Sequence, residues 1–147
     1  MHPVDLGAAV FDAIADRNDF DPAAIDDVIT GCVSQGGQQT MDLGRNAVLA
    51  SKLPDSIPAV TIDRQCGSSQ QAMQFAAQAV MSGTMDVVIA AGVESMTRVP
   101  MGSNAMFHMK EGLGHYKSPR LDEKYPGIMF SQFMGAEMIV KKHGFTK

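Results

Sequence analysis

The residue best placed for covalent chemistry is Cys66, in the stretch Asp63-Arg64-Gln65-Cys66-Gly67-Ser68-Ser69-Gln70-Gln71-Ala72. A β-branched run ends just before it at Ile62, and an amphipathic run begins just after it near Ser68. That address puts the sulfur at or near a helix N-terminus, where free N–H groups and the helix dipole favour an anion. The thiolate is the nucleophilic form of cysteine, and a free thiol titrates near ~8.5. A nearby base would complete the activation. Gly67 lets a substrate approach the backbone closely. The competing reading is a small buried apolar cysteine, the commonest fate of a free thiol. Cys32 fits that second reading, because it lies mid-strand between Gly31 and Val33 and is expected in the core.

Other reactive residues are less well placed. The histidines are His2, His108, His115 and His143. His108, His115 and Glu111 match no common zinc spacing and fall beside Gly112 and Gly114, so no metal site is expected there. Arg64 could raise the potential beside Cys66, but the more ordinary expectation is a pairing with Asp63 or Glu94.

The elements that must position Cys66 are readable from periodicity. Leu6, Ala9, Val10, Ala13 and Ile14 recur at helical spacing. Asp21-Pro22 predicts a helical start, Val28–Val33 a buried strand, and Leu43–Ser51 a helix closed by Pro54. Pro58–Asp63 predicts a second strand. After Cys66, residues Ala72, Phe75, Ala76, Ala79 and Val80 mark one helix face, stopped at Ser82-Gly83. Asp86–Gly92 is a continuous apolar run of the kind covered on both faces. The order β, α, β, α, β from Ile25 to Gly92 predicts an α/β layered fold with a largely buried sheet. Val99–Gly127 shows no clear period and is expected to run over the surface. Phe130–Lys142 is expected to be helical, with Phe133, Met134 and Met138 turned inward.

Composition bounds the reading. The chain has 147 residues, enough for a domain with a real core. A net charge of -4 gives no electrostatic case for nucleic acid or an anionic membrane surface. No apolar window is long enough for a membrane span. The first residues lack the pattern of a signal peptide, and two cysteines fit a reducing, cytoplasmic setting.

Two blocks together resemble a known family. Asp63–Ala72 followed by Val88-Ile89-Ala90-Ala91-Gly92-Val93-Glu94-Ser95-Met96-Thr97 is similar to the N-terminal half of thiolases, the acetyl-CoA acetyltransferase and 3-ketoacyl-CoA thiolase family. The likeness runs from about Val4 to Lys147 and includes Ile25–Gly31 and Gln35–Gln38. It implies a thiolase-like α/β/α fold, with 1–97 as an N-terminal domain lacking its first strand. Residues 98–147 would then begin the loop domain that covers the substrate. Cys66 would be the acylated nucleophile, coenzyme A the co-substrate, no cofactor or metal bound, and the full-length family member a homodimer or homotetramer. Glu94 would hold its loop and a dimer contact. Seven methionines lie between Met96 and Met138 and either line an acyl channel or pack adaptably under a loop.

Among those residues the resemblance favours Phe133 and Met134 as substrate contacts. Gln132-Phe133-Met134-Gly135 stands where biosynthetic members tend to carry His-Met-Gly, which favours a longer or bulkier degradative substrate. The family's catalytic histidines and second cysteine sit in motifs that this sequence does not contain, so a fragment is expected. Two rival readings stand beside this one. One is a ketoacyl-synthase-like condensing enzyme, and the other is a non-catalytic module that dimerises or binds acyl-CoA.

Overall fold

The computed structural model describes residues 1–146. It divides into two compact units, Met1–Phe107 and the residues from His108 onward. In the first, strands β1 (Asp27–Gly31), β2 (Ala59–Ile62) and β3 (Val88–Gly92) form a parallel sheet in the order β2-β1-β3. Helices α1 (Pro3–Arg17), α2 (Leu43–Leu49) and α3 (Ser68–Met81) cover it. The α/β fold is thus as the sequence pattern predicts, but the largely buried sheet is not: β1 is buried along most of its length, while β2 and β3 are mostly half-buried.

Alternation along the strands sorts the two faces. Val28 and Ile89, paired in register, face α1 and α2 and pack with Phe11, Ala47, Val48 and Leu53. Ile29 and Ala90, the next pair, face the other way and pack on Ala72 and Ala76 of α3. Each fully buried large apolar side chain contributes roughly 1.5–3 kcal/mol. Small residues let α3 sit close on β1 and β3. For that reason Ala72 and Ala76 are buried while Phe75 and Val80, expected on the same inner face, stay 39% and 45% exposed.

Prediction and structure part at several borders. β1 ends at Gly31, so Cys32 lies one residue beyond the strand, although its N–H still donates to the Ile62 carbonyl at 3.0 Å. The stretch without a clear period contains two short helices, α4 (Ser103–Lys110) and α5 (Pro119–Lys124), neither with a buried residue. Ser118 caps α5 by accepting from the Leu121 N–H. The last helix, α6, spans Gln132–His143 and ends on Gly144 at φ 67°. It has no buried residue, so the inward face expected from Phe133, Met134 and Met138 is not formed among the described residues. Within the second unit the Lys117 ammonium pairs with Asp122, donates to the Ile128 carbonyl at 3.0 Å and lies over the Phe130 ring. No helix among the described residues is long and apolar enough to cross a membrane.

Candidate active site

Cys66 sits on the sharp turn that converts β2 into α3, and its side chain is exposed. The turn is held by its own residues. Gln65 adopts φ 48°, a left-handed conformation that costs a non-glycine residue about 1–2 kcal/mol. Asp63 Oδ1 accepts the Gln65 N–H at 2.6 Å, and Ser68 Oγ donates to the Gln65 carbonyl at 2.6 Å. Ser68 Oγ also accepts from the Arg64 N–H at 3.0 Å. A strained strand-to-helix turn is a geometry that pushes a nucleophile out of the backbone and toward solvent.

Two glycines bring that turn onto the sheet. Gly31 and Gly92 are register partners at the C-terminal ends of β1 and β3. A Cβ on Gly31 would lie 2.5 Å from Ser68 C and Ser69 N, and one on Gly92 would lie 2.6 Å from Ser69 Cβ. The first turn of α3 therefore rests on bare backbone. The cleft above it has a volume of about 560 Å³ and is lined by Cys66 with Gly31, Ser34, Gly92, Val93 and Met96, among others. In doubly wound sheets with strand order 2-1-3, ligands bind at this β1/β3 boundary beyond the strand ends.

The wall opposite Cys66 is built around a carboxylate. Glu94 Oε2 accepts the Val33 N–H at 2.7 Å, and Oε1 accepts the Ser34 N–H and the Gln39 amide, both at 3.1 Å. Gln39, fully buried, also donates to the Ser34 carbonyl at 2.8 Å and accepts the Ser95 N–H at 2.7 Å. One amide and one carboxylate thus tie the loop after β1 to the loop after β3. Cys32 is buried beneath them. Burial first, then the neighbouring Glu94 carboxylate and Asp63, push its thiol up to about 12. Cys32 is a packing residue and stays protonated.

Residues 1–147 match the family model described as the thiolase N-terminal domain. The chain belongs to the thiolase family. Over its whole length it is 45% identical to a steroid 3-ketoacyl-CoA thiolase of Mycobacterium tuberculosis, of which it covers 37%. Over 97% of its length it is 39% identical to a 3-ketoacyl-CoA thiolase of Pseudoalteromonas translucida, covering 34% of it. Its fold is similar to an acetyl-CoA acetyltransferase of Bacillus anthracis, with a TM-score of 0.73, 28% identity, and coverage of 99% of this chain and 37% of that one. The chain spans a little over a third of the length of these relatives.

With the thiolase fold in hand, each expected site residue has a place. Cys66 lines the cleft. Phe133 and Met134 lie in the first turn of α6, 71% and 47% exposed. Met96 and Met101 border the cleft with Cys66. Arg64 departs from the pairing expected of it, since it forms no ion pair among the described residues. Glu94 is occupied by backbone N–H groups and Gln39, and Asp63 by the N–H of Gln65. His108, His115 and Glu111 form no metal-binding cluster among the described residues, nor does any other group of His, Cys, Asp and Glu. Residue spacing alone passes over Gln39 and the paired glycines. The glycines do carry a signal, because Val28-Ile29-Thr30-Gly31 and Ile89-Ala90-Ala91-Gly92 are both apolar strand runs closing on glycine.

Proposed function

We propose that this chain is the nucleophile-bearing part of a thiolase-type acyltransferase that uses acyl-CoA and 3-ketoacyl-CoA through an acyl-cysteine intermediate. One observation carries the reading: an exposed Cys66 on a strained turn at the mouth of a cleft, in a chain of the thiolase family. In the transfer step the Cys66 thiolate adds to the acyl carbonyl, and a new carbon–sulfur bond forms. With an acyl-CoA donor, the bond to the coenzyme A sulfur breaks and that thiolate takes up the proton Cys66 gave up. With a 3-ketoacyl-CoA donor, attack at the keto carbon breaks the adjacent carbon–carbon bond. Acetyl-CoA then leaves after protonation of its carbanion. Thiolate suits both roles, as a strong nucleophile toward a carbonyl and a good leaving group from a thioester.

The finer assignments belong to the same proposal. Residues 1–97 form the nucleophile domain and 98–147 begin the domain that covers the substrate. Phe133 and Met134 contact the acyl chain, and the substrate is a longer or bulkier acyl group of the degradative type met in fatty-acid breakdown. Coenzyme A is the co-substrate, no metal takes part, the protein works in the cytoplasm, and the full-length enzyme is a homodimer or homotetramer. The whole-protein activity is that of a chain longer than the third of a thiolase seen here.

The test is direct. The chain is incubated with acetyl-CoA and its mass and peptide map are read. One acetyl group on Cys66, absent from Cys66→Ser and never on Cys32, supports the proposal. An unlabelled Cys66 in folded protein, with or without free coenzyme A, overturns it for this chain and favours a module that binds without transfer.

A further inference from the structure

Ser34 is the residue of the cleft whose state is hardest to explain by packing. It is 2% exposed, yet it lines the cleft beside Cys66, and no hydrogen bond engages its hydroxyl among the described residues. Its backbone, by contrast, is held at both ends, with the N–H on Glu94 and the carbonyl on Gln39. Among the other polar groups of the cleft, Gln65 is exposed and its amide donates to Asp63 Oδ2 at 3.5 Å. Ser68 Oγ is engaged twice in the turn, Glu94 accepts three donors, and Ser69 stands on the exposed rim. The remaining lining includes Val33, Val93, Met96 and Met101, whose side chains offer little to a polar atom. The fully enclosed hydroxyl without a partner among the described residues is that of Thr30, whereas Ser34 Oγ keeps a narrow opening to the cleft, where water holds it until a ligand atom takes the water's place.

We infer that Ser34 is a specificity-determining residue whose hydroxyl donates to a carbonyl oxygen of the acyl group bound in the Cys66 cleft. The inference rests on the acyl-CoA reading of the site. The Glu94–Gln39 tie gives it physical form: it fixes the Ser34 backbone so that the hydroxyl is presented in advance, with little ordering left for the ligand to impose. Apolar walls around a single buried donor discriminate strongly for a matching acceptor, because an analogue lacking it leaves the donor unpaired.

The experiment uses two coenzyme A thioethers that cannot acylate Cys66 and differ by one carbonyl, S-acetonyl-coenzyme A and S-propyl-coenzyme A. Each is titrated against the rate at which iodoacetamide alkylates Cys66 in the 147-residue chain. Wild type should be protected at lower concentrations of the acetonyl compound. Ser34→Ala should weaken acetonyl protection by about three- to tenfold and leave propyl protection alone, the range of one neutral hydrogen bond. Ser34→Thr, which keeps the hydroxyl, should restore the preference. Equal loss for both compounds, no loss for either, or a slowed alkylation without ligand would overturn the inference, since each assigns Ser34 a packing role. Failure of both compounds to protect wild type would instead remove the acyl-CoA reading and this inference with it.

Discussion

The two cysteines stand at the ends of neighbouring parallel strands and have opposite surroundings. Cys32 follows β1 directly and is 1% exposed under Leu43 and Val93, with a thiol held at about 12. Cys66 follows β2 by four residues and is exposed in the cleft. Residue type does not separate them. The difference lies in the segment that each strand leads into. After β1 the chain turns inward and its polar groups are tied to Glu94 and Gln39. After β2 a left-handed Gln65 throws the chain outward and straight into a helix. Exposure here is a property of the turn.

The largest effect that could break this contrast comes from exchanging the sulfurs one at a time. If Cys66 is the nucleophile proposed above, Cys66→Ser should lower acetyl uptake from acetyl-CoA by about a thousandfold or more, on the order seen when covalent enzymes lose their nucleophile. Cys32→Ser should leave the labelling of Cys66 within about twofold, while lowering stability by about 1–3 kcal/mol through a polar hydroxyl placed in the core. Labelling of Cys32 in the Cys66→Ser variant would collapse the distinction. A second test attacks the seat of the turn. Gly31→Ala drives a methyl into the backbone of Ser68 and Ser69 and should cost roughly 3 kcal/mol, with slower alkylation of Cys66. Gly67→Ala is the sharpening control. Its nearest neighbour would be the Arg64 carbonyl at 3.6 Å and its φ is -97°, so its urea midpoint should move by less than the equivalent of about 0.5 kcal/mol.

Much of this contrast is legible in the residues themselves, and the illegible part has a physical reason. The strands, the order β-α-β-α-β and the helix start at Ser68 come from hydrophobic period, which depends on local alternation alone. The burial of Cys32 comes from its place beside an apolar strand. The left-handed Gln65 is not legible, because no glycine or asparagine marks it, and its cost is met by Asp63 and Ser68 across the turn. Nor is the Gln39–Glu94 tie, which joins residues 55 apart that only the sheet order brings together. The Arg64 pairing fails for the same reason: Glu94 is already occupied by groups distant in sequence. The helices α4 and α5 escape because they bury nothing, so they carry no periodic apolar stripe to read.

The tie itself offers the next test. Gln39→Leu keeps the bulk but leaves the Ser34 carbonyl and the Ser95 N–H without their buried partner, and should cost about 1–3 kcal/mol in urea unfolding. The measurement that matters is acetyl uptake at matched folded fraction. A loosened wall should weaken apparent binding of acetyl-CoA and leave the maximal labelling rate of Cys66 close to wild type. Loss of the maximal rate would mean that the tie also shapes the turn of β2, and the two regions would be less independent than their hydrogen bonds indicate.

The smallest expected effect lies in alkaline stability. The Cys32 thiol ordinarily titrates near 9.0 and in the fold near about 12, because burial and the Glu94 carboxylate disfavour its anion. Proton counts set the sign. Between those two values the unfolded chain has released the thiol proton and the folded chain has kept it, so the folded state binds more protons and stability falls as pH rises. Well below pH 9.0 both states keep the proton and the group adds no slope. Tyrosines and lysines titrate in the same range, so the useful quantity is a difference between variants. Urea midpoints of wild type should fall more steeply than those of Cys32→Ala between about pH 9 and pH 11, with the two curves parallel at lower pH. Parallel curves throughout would mean that the Cys32 thiol feels little of its burial. The contrast with Cys66 would then rest on access to the cleft alone.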